Sequence, residues 1–169
     1  MEIVSRQEIL LPVRPSFIVF TLVCAVLLNM LLGSTGWLRP DFVALVVLYW
    51  CVQQPRMVGF TVAFTMGLLM DVAEGTLLGQ HALAYSILAF AGIALHRRVR
   101  GFSLTAQIVH VIPLLFVTDL IVVGIRLLGG ASFPGYSYFV GSVLAGLLWP
   151  VASVLLKLPQ RPRADPDHV

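Results

Sequence analysis

The sequence is short of charge. Only 11% of its 169 residues are Asp, Glu, Lys or Arg, far below the ~25% of a typical soluble domain. It is short of cysteine too. Cys24 and Cys51 both lie inside apolar runs, with no CxxC pair and no His/Cys cluster. They read as buried small side chains, not as a disulfide or metal framework. The chain has no P-loop, no GxGxxG, no HExxH and no serine-centred elbow. These absences argue against an ATPase, a dinucleotide enzyme, a zinc protease and a serine hydrolase. No cofactor is implied.

What is present is apolar. Hydrophobic residues make up 59% without counting glycine. A soluble fold of this size has too little interior to hide that much. The reading is an all-α integral membrane protein. Arg6 and Arg14 precede the first apolar run, Phe17 to Leu32, as in a secretory signal. That run exceeds the usual ~7–15 residues and no A-x-A site follows, so it is expected to be a retained span.

Six transmembrane helices are expected, near Pro15–Gly33, Pro40–Gln53, Met57–Ala73, Thr76–Leu95, Leu104–Leu128 and Ser137–Leu158. The second covers only ~20 Å at ~1.5 Å per residue, so it either stops short of spanning or starts near Trp37. The "QQPR" turn (Gln53 to Arg56) is expected to make helices two and three an antiparallel hairpin. Residues 1–14 form an N-terminal segment, 15–158 the membrane domain and 159–169 a proline-rich tail expected to be disordered. With six spans, nine Lys/Arg fall on the side of the termini and two, Arg39 and Arg126, on the other. The bias places both termini in the cytoplasm. Trp37, Phe133, Tyr136 and Tyr138 would then form an outer aromatic belt, with Tyr49 and Trp50 near the inner interface. Topology and anionic lipid explain the basic residues without nucleic acid.

Ionisable groups at membrane depth cost at least ~2.5–3.5 kcal/mol on insertion scales, so each needs a reason. Asp41 follows Pro40 at the start of helix two, where proline suits the first position and an acid complements the helix dipole. Arg39 is a candidate partner for an outer acid. Asp71 ends helix three, with Glu74 a turn later at the interface. Asp71 has several candidate roles: accepting from the start of helix four, pairing with Arg39 or Arg126, or a binding or relay function. Asp119 lies mid-helix, seven residues before Arg126, ~10 Å along the axis. It therefore needs a partner on another helix or a cavity. His81 and His110 lack metal-ligand spacing and are expected to make helix–helix hydrogen bonds. Gly59, Ala63, Gly67, Asp71, Gly75 and Gly79 recur every four residues. The first three give helix three a small-xxx-small face. Gly75 suits a helix terminator, with Thr76 capping helix four. Helix six carries Gly141/Ala145 and Ser142/Gly146, and helix four is rich in small residues.

Four stretches together resemble a known family: "RPDFVALVVLYW" (Arg39 to Trp50), "GLLMDVAEGTLLGQHAL" (Gly67 to Leu83), the acid of "VTDLIV" (Asp119) and "GLLWP" (Gly146 to Pro150). They are similar to the rod shape-determining protein MreD family. The resemblance implies an inner-membrane subunit of the bacterial rod complex, or elongasome, with no catalytic activity of its own. It implies work with MreC, the actin homologue MreB, the glycosyltransferase RodA and a class B penicillin-binding transpeptidase. It also implies a fold like the substrate-binding components of energy-coupling-factor transporters. On this reading Asp41, Asp71, Asp119 and Arg39 hold partners or helix geometry. Gly59, Ala63, Gly67, Gly75, Gly79, Gly146 and Pro150 serve helix packing. Two other classes remain open: a subunit binding a small molecule or lipid in an outward pocket, and a membrane enzyme. The enzyme would need acids and histidines gathered on one cavity, which the helix assignments do not show.

Overall fold

The computed structural model describes residues 13–33 and 39–160. The described chain is six α-helices: α1 (Pro15–Gly33), α2 (Phe42–Gln53), α3 (Phe60–Glu74), α4 (Gln80–Gly101), α5 (Leu104–Leu128) and α6 (Val140–Lys157). A 3-10 turn, Tyr136–Phe139, leads into α6, and another, Leu158–Gln160, follows it. Most of the N-terminal segment and of the tail lies outside the described residues, as does Trp37.

α2 is the centre of the bundle. Nine of its twelve residues are buried, because a helix that is apolar on every side must be enclosed. α1, α4 and α6 enclose it. At ~1.5 Å per residue it rises only ~18 Å, against a hydrocarbon core of ~30 Å. Four stretches are long and apolar enough to cross a membrane, and they contain α1, α4, α5 and α6. The expected six spans are thus six helices of which four have spanning length. The expected hairpin is also altered. α2 and α3 succeed one another through a short turn but scarcely touch, because α3 packs its buried face on α4. That face is Ala63, Gly67, Met70 and Asp71, a single stripe at helical spacing.

α4 touches α2, α3 and α5. Its small buried residues Ala82, Ala84, Ser86, Ala89 and Gly92 let three neighbours come close. A Cβ on Gly67 would stand 2.5 Å from the Ala82 nitrogen and 2.6 Å from the His81 carbonyl carbon. A Cβ on Gly92 would meet Leu48 Cδ1 at 2.9 Å. In α6, Gly141 and Gly146 have no room for a Cβ either, against the Arg39 carbonyl and Ile112. Pro150 sits within α6, where it removes the N–H that would pair with the Gly146 carbonyl.

Other expectations change. α4 begins at Gln80, not Thr76, and runs on to Gly101. Arg98 and Arg100 extend it because cations favour a helix C-terminus. Tyr49 and Trp50, expected near the inner interface, are fully buried core residues. Trp50 Nε1 donates to Thr21 Oγ1 (2.9 Å), tying α1 to α2. Trp149 Nε1 donates to Gln107 Oε1 (2.8 Å), tying α5 to α6.

Candidate functional site at one end of the bundle

Helices α1, α3, α4 and α5, together with the segments that lead into α2 and α6, line one polar chamber of about 50 Å³. α1 contributes Asn29, α3 Glu74, α4 His81 and α5 Asp119 and Arg126. The turn before α6 adds Tyr138, and the segment before α2 adds Arg39 and Asp41. Since Asn29, Glu74 and Arg126 lie late in their helices, and Asp41, His81 and Tyr138 at or before helix starts, the helices alternate in direction. A wider hollow of about 290 Å³ adjoins the chamber and shares Asn29, Arg39, Glu74 and Arg126.

Asp41 is the N-cap of α2, and Pro40 stands outside the helix instead of at its first position. Asp41 Oδ1 accepts from the Ala44 amide (3.0 Å) and from Asn29 Nδ2 (3.0 Å). Its Oδ2 accepts from the Tyr85 hydroxyl (2.6 Å). Asn29 Oδ1 in turn accepts from the Phe42 amide (2.9 Å). One carboxylate thereby fastens α1 and α4 to the first turn of α2.

Asp71 is 1% exposed and acts as a cap supplied from another helix. Its carboxylate accepts from the amides of Gly79 (2.8 Å), His81 (2.8 Å) and Ala82 (3.4 Å). A helix N-terminus has unpaired N–H groups and a positive dipole end, both suited to an anion. The His81 ring Nδ1 also donates to Asp71 Oδ1 (2.8 Å). Gly75 (φ 62°) and Gly79 (φ 100°) take the left-handed backbone that this tight return needs. Neither is a packing residue, since a Cβ on either would meet nothing within 4 Å. The same holds for Gly59, so the packing face of α3 begins at Ala63. Thr76 does not cap α4, because its N-cap position is Gly79.

Arg39 pairs with Glu74 (3.3 Å), not with Asp71. His81 Nε2 stands 4.0 Å from Glu74. Asp119 finds its partner on another helix, as expected: the Ser142 hydroxyl of α6 donates to Asp119 Oδ2. His110 bonds only within its own helix, to the Ala106 carbonyl (3.0 Å), and stacks on Phe102. Tyr138 borders the chamber, while Tyr136 is exposed.

The family model described as rod shape-determining protein MreD matches residues 5–158. The chain belongs to the MreD family. It is also similar to the rod shape-determining protein MreD of Haemophilus influenzae, at 29% identity over 124 residues, covering 73% of this chain and 76% of the relative. No solved structure matches it.

For a member of this family, the chamber is more than the sequence disclosed. Three acids and a histidine do face one cavity, contrary to the helix assignments. Asn29, Tyr85 and Ser142 were missed as functional partners. Asn29 alone carried a signal, as the one amide in an otherwise apolar α1, since such residues bond across helices.

Proposed function

We propose that the chain is a non-enzymatic subunit of the rod complex in the bacterial inner membrane, supporting peptidoglycan elongation and rod shape by holding the transmembrane helix of MreC. Family membership supports the role in shape determination. The observation that supports the docking is a side-open apolar groove of about 410 Å³. Its walls are α1 (Phe17, Phe20, Cys24, Leu28) and α6 (Leu148, Val151, Leu155), with α2 (Phe42, Leu45, Val46) as floor. Such a groove suits a single apolar helix. MreB, RodA and a class B penicillin-binding transpeptidase would connect through MreC. The likeness to substrate-binding components of energy-coupling-factor transporters is part of the same reading, and rests on family resemblance.

The alternating helices support cytoplasmic termini. Arg14, Arg56, Arg97, Arg98, Arg100 and Lys157 belong to the end away from the chamber, while Arg39 and Arg126 border it. By the positive-inside rule the chamber then faces outward. The short α2 and α3 go in and return, so the parity is unaffected.

Native Cys24 lines the groove, so single cysteines along the MreC transmembrane helix test the docking by disulfide crosslinking. Crosslinks repeating at helical spacing are expected, with rounding of cells on depletion. A cysteine at Val109, exposed on α5, is the comparison. Equal crosslinking at both sites, or none at Cys24 along the whole MreC helix, would reject the groove.

A further inference from the structure

The chamber holds two opposite charges that do not pair with each other. Arg126 is half-buried at its mouth, and its guanidinium has no hydrogen bond or ion pair among the described residues. Asp119 is 8% exposed, and among the described residues its carboxylate receives only the Ser142 hydroxyl. The two are seven residues apart on α5, ~10 Å along its axis. Helical side chains lean toward the N-terminus, which tilts the Arg126 guanidinium back over the chamber that both residues line. Arg39, the other cation there, is already neutralised by Glu74. Leaving the Asp119 carboxylate without a counter-ion at membrane depth is costly, and the Arg126 guanidinium at the mouth has none either. A ligand carrying both charges would satisfy both.

The two spaces differ in a matching way. The inner chamber, about 50 Å³, holds Asp119 and suits an ammonium group. The outer hollow, about 290 Å³, lacks Asp119 and is lined by Arg126, Arg39 and Glu74; because Glu74 pairs with Arg39, the guanidinium of Arg126 gives it a net positive charge that suits a phosphate or carboxylate. We propose that this two-part cavity binds a zwitterion, its anion at Arg126 and its primary ammonium at Asp119, the chemistry of a phosphoethanolamine group. The ligand comes either from a membrane lipid headgroup or from a soluble zwitterion. This site is separate from the apolar groove and does not depend on what the groove holds.

The test uses the full purified chain in mild detergent. Native mass spectrometry reads retention of phosphatidylethanolamine against phosphatidylcholine and phosphatidylglycerol at equal amounts. Choline has no N–H to give Asp119, and glycerol has no cation. One charge-assisted hydrogen bond corresponds to about tenfold, so about tenfold preference for phosphatidylethanolamine is expected. Asp119→Asn should remove most of that preference, whereas Arg126→Gln, which loses the phosphate contact that all three lipids share, should lower retention of all of them about tenfold; Arg100→Gln at the far end should do neither. Because Asp119→Asn also touches Ser142, melting of each variant is compared, and the wild-type preference together with lowered retention in Arg126→Gln carries the test if Asp119→Asn unfolds. In parallel, soluble O-phosphoethanolamine is tested for a thermal shift abolished by Arg126→Gln. Lipid preference identifies a headgroup ligand. A shift without lipid preference identifies a soluble one. Equal retention of the three lipids with no shift, or neither lipid retention nor the thermal shift lowered in Arg126→Gln, overturns the proposal.

Discussion

Replacing Gly67 by alanine is expected to destabilise the bundle, although alanine is the better helix former. In a helix interior the exchange gains about 1 kcal/mol of propensity. At Gly67 the new carbon would press on backbone, 2.5 Å from the Ala82 nitrogen and 2.6 Å from the His81 carbonyl carbon. No side chain can rotate away there. α4 cannot retreat freely either, because Asp71 clamps its first turn through the Gly79 and His81 amides at 2.8 Å. Overpacking typically costs about 1–3 kcal/mol, and stretching each interhelical hydrogen bond adds about 0.6 kcal/mol. The net is about 1–3 kcal/mol of destabilisation once the propensity gain is removed. Gly124→Ala is the matched comparison. It also lies inside a helix, but its Cβ would meet nothing within 4 Å. It should stabilise by up to about 1 kcal/mol. Unfolding of the purified chain in mild detergent, followed by circular dichroism, reads both signs. If Gly67→Ala melts at or above the wild type, the close contact between α3 and α4 is not what fixes this position. Gly67→Leu extends the perturbation and is expected to abolish both MreC co-purification and rod shape.

Asp71→Ala should cost about 2–4 kcal/mol, since it strands the buried amides of Gly79 and His81. Circular dichroism would show that loss, and an unchanged melt would deny Asp71 its capping role. Tyr85→Phe removes one hydrogen bond to the Asp41 carboxylate and should cost about 1.5–3 kcal/mol, measured the same way. A loss in Tyr85→Phe that persists undiminished in an Asp41→Ala background would show that the pair is not coupled.

The membrane class, the helix count and the small-residue contacts of Gly67 and Gly146 were legible because hydropathy and spacing carry them. The length of α2 was legible too, but not its place. A twelve-residue apolar run looks the same whether it is lipid-exposed or enclosed, and only the packing of α1, α4 and α6 distinguishes the two. The glycine beat was legible as a pattern yet mixed two causes. Ala63 and Gly67 meet α4, whereas Gly75 and Gly79 supply positive φ in the turn. The chamber was illegible for a different reason. Its members come from four helices and the segments leading into two others, spread from Asn29 to Tyr138, so no local spacing joins them. Asp119 could be predicted to need a partner from the cost of burying it, but nothing in the sequence picked Ser142.

The attachment of α1 carries the last prediction. α1 packs mainly on α2, and the groove separates its outer face from α6. Two side-chain links, eight residues apart, tie it to α2: Thr21 to Trp50, and Asn29 to both Asp41 and the Phe42 amide. Phe42 also belongs to the groove floor, so the chamber end of α1 and the width of the groove depend on the same first turn of α2. Asn29→Ala removes one of the two links and leaves the Phe42 amide unpaired. If the local opening free energy of α1 falls by about 1.4 kcal/mol, the open population rises about tenfold. Cys24 reports this because it is half-buried in the groove, and Cys51, fully buried on α2, serves as the internal standard. Alkylation of Cys24 by N-ethylmaleimide should accelerate about tenfold while Cys51 stays inert. Acceleration of both would mean global loosening. A Cys24 rate equal to that of the wild type would mean that lateral packing, not the Asn29 link, holds α1 in place.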